Sequence, residues 1–265
     1  MTRASEFWDA LAPHHAAIEN SYLDLASLRR ILSSVHRPVL VVGAGQGLLV
    51  KELRDRCFQC EGVDFSPQMI RQAKLRRGLD LVEADAKVLP FGAATYSTII
   101  YATGVIDFMA DEQEIRAILS EGKRVVKPTG NTFVAFYRLS RAGEEFIAKV
   151  GLLENNSVSL RRSLELYLLN PAQMVAWVAN HARISRFKAA LVLFWFAMRN
   201  TTQEKVMTFR MQKIFRDPEV ARALLGSAAE KQPYRNEAEV RNLFQRLAIP
   251  IRRIQPTSSC HLVEI

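Results

Sequence analysis

Three glycines and two aspartates carry the chemistry that the sequence displays most plainly. Val39-Leu40-Val41-Val42 is a short apolar run ending in Gly43-Ala44-Gly45-Gln46-Gly47, and a helical pattern starts at Leu48. Glycines after the first strand of an α/β sheet permit a tight turn and let a ligand approach the backbone closely. The helix that follows points its unpaired N–H groups at that ligand. A dinucleotide fingerprint, Gly-x-Gly-x-x-Gly, would put its third glycine where Leu48 stands; here it comes one place earlier, at Gly47. Asp64 lies 19 residues beyond Gly45, at the end of a second strand-like run, where a carboxylate can accept two ribose hydroxyls. Asp85 follows a third such run and can accept from an adenine amino group. One carboxylate per strand end suits an adenosine lying across the mouth of a sheet. The plainer alternative is an α/β domain with no ligand, but helix caps and turns explain neither carboxylate.

These residues need a scaffold of alternating strands and helices. Ser66 before Pro67 reads as a helix N-cap with proline at the first helical position, so Pro67–Arg77 is an expected helix. Asp80–Glu83 and Ser97–Ala102 are the third and fourth expected strands. Asp111 caps a helix to about Val126, Pro128 and Gly130 break it, and Asn131–Arg138 is the fifth strand. A strand-helix-strand order implies a parallel sheet with helices on both faces. Ser21–Leu32 has helical spacing ahead of the first strand. Residues 139–235 read as mainly helical, with breaks at Asn155-Asn156, Asn170-Pro171, Asp217-Pro218 and Pro233, and with Pro171–Asn180 as a helix. Asn236–Leu247 is a last helix, and Ile249–Ile254 with Cys260–Ile265 form an antiparallel hairpin at the sheet edge.

Composition bounds the rest. The chain has 265 residues, is 49% hydrophobic and 24% charged, and holds 12 Gly and 10 Pro, which excludes a disordered or collagen-like chain. Three cysteines are too few for a disulfide framework. No signal-peptide pattern opens the chain. The longest uncharged apolar run, Ala189–Met198, has ten residues, against roughly 20 needed to span a bilayer. A cytoplasmic protein is the expectation. Residues 1–137 carry 16 basic and 16 acidic side chains, so the net charge of +9 belongs wholly to 138–265. Within 183–216 eight basic residues face Glu204 alone.

The ordered set of motifs resembles the class I S-adenosylmethionine-dependent methyltransferases, nearest to the small-molecule type that includes quinone-pathway enzymes. The matching stretches are Val39–Gly47, Glu61–Ile70, Val82–Phe91, Thr103–Phe108 and Val125–Gly130. The resemblance implies a Rossmann-like, doubly wound α/β sheet of seven strands, mostly parallel, with an antiparallel C-terminal hairpin. It implies a single methyltransferase domain over 1–265: an N-terminal helical segment 1–35, a cofactor-binding core 36–138, a helical insertion or substrate lid 139–235, and a last helix with edge hairpin 236–265. S-adenosylmethionine is the implied cofactor and S-adenosylhomocysteine its product, with no metal. By position, Gly43, Ala44, Gly45 and Gly47 approach the methionine part and ribose. Asp64 binds the ribose hydroxyls, Phe65 and Met69 line the adenine, Asp85 and the Ala86 N–H read its edge, and Ala102 and Thr103 flank the methionine end. Where the family usually has an acidic residue two places before the first glycine, this chain has Val41, which removes an anchor for the ammonium group. Ser97 stands where the family usually starts its fourth strand with an acid.

Several residues have two readings. His15, in a segment that often folds over the cofactor in this family, is a candidate general base, while helix-surface histidines are the plainer reading of His14 and His15. Asp107 either orients an acceptor or caps a helix. Cys57 and Cys60 form one pair, too few for a zinc site, and read as packed thiols. Ala189–Met198 reads first as a buried segment, then as a wall around an apolar substrate, then as an interfacial helix giving 183–216 a peripheral membrane contact. The expected partner is a small methyl acceptor, anionic or amphipathic. No nucleic-acid-binding module is visible, but an RNA-modifying methyltransferase using the cationic half stays open, as does a non-catalytic S-adenosylmethionine-binding protein.

Overall fold

A computed structural model describes residues 3–16, 31–107, 109, 111–138, 141–154, 157–199, 202–226, 231–233, 236–256 and 260–265. The expected helix Ser21–Leu32 lies outside them apart from Ile31 and Leu32, as does Phe108. Contacts divide the chain into two compact units, Met1–Arg138 with Arg235–Ile265, and Leu139–Tyr234.

In the first unit, α1 (Arg3–His15) precedes β1 (Val39–Val42), α2 (Leu48–Asp55), β2 (Cys60–Asp64), α3 (Pro67–Arg77), β3 (Val82–Glu83), β4 (Tyr96–Tyr101), α4 (Glu112–Val125) and β5 (Val126–Tyr137). The second unit holds α5 (Arg141–Lys149), β6 (Leu153–Glu154), β7 (Ser157–Ser159), α6 (Leu160–Leu168), α7 (Pro171–His181), α8 (Arg186–Arg199), α9 (Thr202–Phe215), α10 (Pro218–Gly226) and β8 (Lys231–Pro233). The chain returns to the first unit with α11 (Glu237–Arg246), β9 (Arg253–Pro256) and β10 (Cys260–Glu264).

The large sheet has seven strands in the order β3-β2-β1-β4-β5-β10-β9. β1 pairs in parallel with β2 and β4, placing Val39 beside both Cys60 and Thr98. β10 runs antiparallel to β5 and β9 antiparallel to β10. Side chains alternate across a strand, so Leu40 and Val42 enter one core with Ile115, Ile118, Phe136 and Phe244, while Val39 and Val41 enter the other with Val50, Leu53, Phe133 and Leu262. Both faces are covered, which is why β1 reads as unbroken hydrophobe. Caps fix where the helices start. Ser66 Oγ accepts from the Met69 N–H, Asp111 accepts from the Gln113 N–H, and Asn236 forms a reciprocal capping pair with Glu239. β5 starts at Val126, not Asn131, so Pro128 lies inside the strand rather than ahead of it.

The second unit is not purely helical. β6, β7 and β8 make a three-stranded antiparallel sheet, with Ser157 opposite Pro233. The stretch is mainly helical as expected, with this small sheet added: β8 pairs with residues more than 70 positions away, and proline is tolerated because β8 is an edge strand. The unit has its own core of Phe146, Val150, Leu152, Leu166, Val178, Ala179 and Ala189, with Phe146 stacked on Phe196 at 4.0 Å.

Candidate cofactor site

The turn after β1 is held in a conformation that L side chains resist. Gly43, Gly45 and Gly47 have φ of 71°, 54° and 82°. Residues with a β-carbon pay for this left-handed region, and glycine does not. A β-carbon on Gly43 would overlap the Val105 methyl, and one on Gly47 would stand 2.6 Å from Leu79 Cδ1. The Ala44 N–H donates to the Val63 carbonyl at 2.9 Å, tying the turn to β2, and the Gly47 N–H donates to Ala44 at 2.8 Å. Gly47 is the N-cap position of α2, so that helix opens directly beneath the turn.

Asp64, the last residue of β2, faces the turn. One oxygen accepts the Gly45 N–H at 2.7 Å and the other the Ser66 N–H at 2.9 Å. A carboxylate offers about four acceptor positions, so capacity remains for a further donor beside these two and the Phe65 N–H. Burial pushes its pKa up to about 6, against the pull of the Ser66, Gly45 and Phe65 N–H groups and with help from the Asp9 charge.

α1 lies over this edge. Gln46 is fully buried and its Nε2 donates to the Ala12 carbonyl at 2.5 Å. Ser66 Oγ donates to Asp9 at 2.5 Å, and the Gln68 N–H donates to the same oxygen at 3.2 Å. The His15 ring stands 3.4 Å from where a β-carbon on Gly45 would sit, and the Trp8 ring 3.3 Å from the same point on Gly104. His15 is therefore buried, which overturns the surface-helix reading for it, while His14 is half-buried. Desolvation, then the nearby Arg77 charge, lowers the His15 pKa to about 4.

The other expected site residues fall around this centre. Phe65 is half-buried and Met69 fully buried. Asp85 is exposed. Its Oδ1 accepts the Lys87 N–H at 2.9 Å and its Oδ2 lies 3.7 Å from Lys87 Nζ. Ala86 is half-buried, and its side chain packs on the sheet core. The Ala102 N–H donates to the Val42 carbonyl at 3.0 Å, bringing Ala102 and the half-buried Thr103 beside the glycine turn. Asp107 is buried, and among the described residues it caps no helix, since the cap of α4 is Asp111. Asp107 instead accepts the Gly104 N–H at 2.5 Å and the Tyr137 N–H at 3.1 Å. Cys60 is buried but Cys57 is exposed, so the two are not packed together as thiols. Cys57 has φ 62° where α2 turns back into β2.

Gln46, Asp9 and Val105 were not among the expected site residues. Only Gln46 left a trace in the sequence, as a long polar side chain between two required glycines. Its Oε1 is buried without a hydrogen-bond partner among the described residues.

The methyltransferase-domain family profile matches residues 39–130. The chain is 27% identical over 190 residues to a ubiquinone biosynthesis O-methyltransferase of Xanthomonas oryzae, covering 67% of this chain and 75% of that protein. It is 33% identical over 97 residues to a demethylmenaquinone methyltransferase of Corynebacterium urealyticum, covering 37% and 40%. A solved S-adenosylmethionine-dependent methyltransferase of Methanosarcina mazei superposes with a TM-score of 0.53 at 13% identity, over 89% of this chain and 95% of that one, and shares the fold. The residues present fit an adenosyl sulfonium. The glycine turn has no room for a β-carbon, Asp64 keeps acceptor capacity beside it, and a buried amide oxygen at Gln46 awaits a donor. The methyltransferase domain matched from β1 into β5, the curated methyltransferase relatives and the sheet order together support a class I S-adenosylmethionine-dependent methyltransferase.

Proposed function

We propose that the protein transfers a methyl group from S-adenosylmethionine to a nucleophilic atom of a small, amphipathic or anionic acceptor. The observation that carries this reading is the Asp64 carboxylate bonded to the Gly45 amide across a glycine turn that rejects side chains. Asp64 takes the ribose hydroxyls, and Asp85 with the Ala86 N–H takes the adenine edge, flanked by Phe65 and Met69. The backbone at Gly43, Ala44, Gly45 and Gly47, with Ala102 and Thr103, takes the methionine part. Val41 is fully buried in the core and cannot reach the ammonium group; the Gln46 Oε1 acceptor is the substitute.

The sulfonium supplies an activated methyl. The protein's task is to align the acceptor with the S–C bond and exclude water. S-adenosylmethionine held by those residues would supply the methyl and keep the S–C electron pair on sulfur, and a hydroxyl acceptor would lose its proton to bulk solvent before the site closes on it. His15, lowered to about 4, is a weak base at neutral pH, and we assign it to closing the glycine turn. Asp107 already receives two backbone N–H groups, and we assign it to holding the loop after β4. The relatives named for O-methylation in ubiquinone biosynthesis and for demethylmenaquinone methylation favour a quinone-like acceptor over RNA. The cationic stretch 139–235 is the part we assign to acceptor choice.

Calorimetry with S-adenosylmethionine and S-adenosylhomocysteine, followed by an acceptor screen with labelled methyl, tests the proposal. Asp64→Ala is expected to abolish measurable binding, with circular dichroism and urea unfolding measured beside it because the change also strands the Gly45 and Ser66 N–H groups. Unchanged affinity in that variant would sink the site assignment, and binding without turnover on any acceptor would favour a non-catalytic role.

A further inference from the structure

α8 packs by one face only. Ala189 is fully buried, and Val192, Leu193 and Phe196 rest on the second unit's core of Phe146, Val150 and Val178. The opposite face presents Phe187, Leu191, Phe194 and Met198, exposed by 73%, 50%, 64% and 65%. At 3.6 residues per turn these four fall within about 60° of one another, directly away from the buried side. A surface helix ordinarily turns polar residues outward; here the outward stripe is large and apolar.

Cations border that stripe. Arg186 and Lys188 are exposed and lie roughly 90° to either side of it. Trp195, next to the stripe, carries Lys149 Nζ at 4.0 Å and Arg199 Cζ at 4.8 Å over its ring. No Asp or Glu occurs between Glu165 and Glu204. Charge selects the occupant. A second copy would bring the same cations against these. An anionic lipid surface supplies the opposite sign, and apolar side chains flanked by cations and an indole are what a helix lying among headgroups requires. Fourteen residues span about 21 Å, too short to cross a hydrocarbon core of roughly 30 Å.

We propose that α8 docks the protein on anionic phospholipid membranes, lying in the plane of the surface with Phe187, Leu191, Phe194 and Met198 inserted. The proposal is independent of the methyl-transfer reading.

Co-sedimentation with vesicles of phosphatidylcholine alone, or with about 30% phosphatidylglycerol, tests it. The wild-type protein is expected to bind the anionic vesicles at least roughly tenfold more tightly, and less so as salt is raised. Phe187→Asp/Phe194→Asp should weaken that binding by roughly tenfold or more, with S-adenosylmethionine affinity and circular dichroism unchanged. Arg186→Glu/Lys188→Glu should weaken it too. The proposal is overturned if the wild-type protein stays in solution with anionic vesicles. It is equally overturned if the Phe variant binds as well as wild type, or if light scattering shows a dimer that the Phe variant dissociates while vesicles capture neither form.

Discussion

The Asp64 carboxylate accepts the Gly45 amide at 2.7 Å, joining the end of β2 to the turn after β1 across 19 residues of chain. This bond fixes the shape of the turn and sets the charge beside it. Asp64 has a folded-state pKa near 6, raised mainly by burial. Ribose hydroxyls donate most strongly to the ionised form. Affinity for S-adenosylmethionine should therefore fall as pH drops through about 6, approaching tenfold per unit below it. Calorimetry between pH 7.5 and 5 reads this, and a flat profile would remove Asp64 from ribose recognition.

Gly43 makes a second point about the turn. Its φ is 71° and an added β-carbon would overlap the Val105 methyl. Gly43→Ala should cost about 2 kcal/mol or more, from left-handed strain and from displaced packing. Adding Val105→Ala should restore part of that loss, because only the overlap is relieved. Urea unfolding of both variants measures it. A Gly43→Ala protein as stable as wild type would show that the turn is softer than its dihedral angles imply.

What the sequence disclosed and what it hid follow from range. β1 and its turn were legible because every requirement is local: four buried residues in a row, then glycines forced by positive φ. Asp64 was legible because parallel pairing places strand ends together in a predictable way. His15 misled because burial of a short amphipathic helix depends on what lies beneath it, here Gly45, thirty positions on. The three-stranded sheet of the second unit was invisible because Lys231–Pro233 finds its partner at Ser157–Ser159, a pairing that no window of sequence contains. Ala189–Met198 reads chiefly as a buried segment because the run is apolar all round; only the packing shows that one face of α8 turns outward.

Asp107 separates structural from chemical roles. It is buried and receives the N–H groups of Gly104 and Tyr137. Asp107→Ala strands both donors, and a buried unpaired group costs about 1–3 kcal/mol. The expected result is a loss of ~2–4 kcal/mol in stability by denaturant unfolding. A residue that served the acceptor alone would lower turnover and leave stability unchanged, and that outcome would reverse the assignment.

His15 and Asp64 make opposed contributions to the pH dependence of folding. The Asp64 pKa rises from 3.8 to about 6 on folding, so its contribution is complete below pH 4 and is lost as pH rises through 6. The His15 pKa drops from 6.5 to about 4, so its contribution is complete above pH 6.5 and is lost as pH falls through 4. Over the shared window the two slopes nearly cancel in the wild-type protein. His15→Gln removes only the second slope. Relative to wild type, the variant should gain stability on acidification from pH 7 toward 4, by up to ~3 kcal/mol, because the unfolded wild-type chain takes up a proton that its folded state refuses. Urea unfolding of both proteins at several pH values in that range gives the difference directly, with every other titrating group common to both. If the two curves run parallel, His15 is not held neutral by burial over the glycine turn, and its placement against Gly45 is wrong.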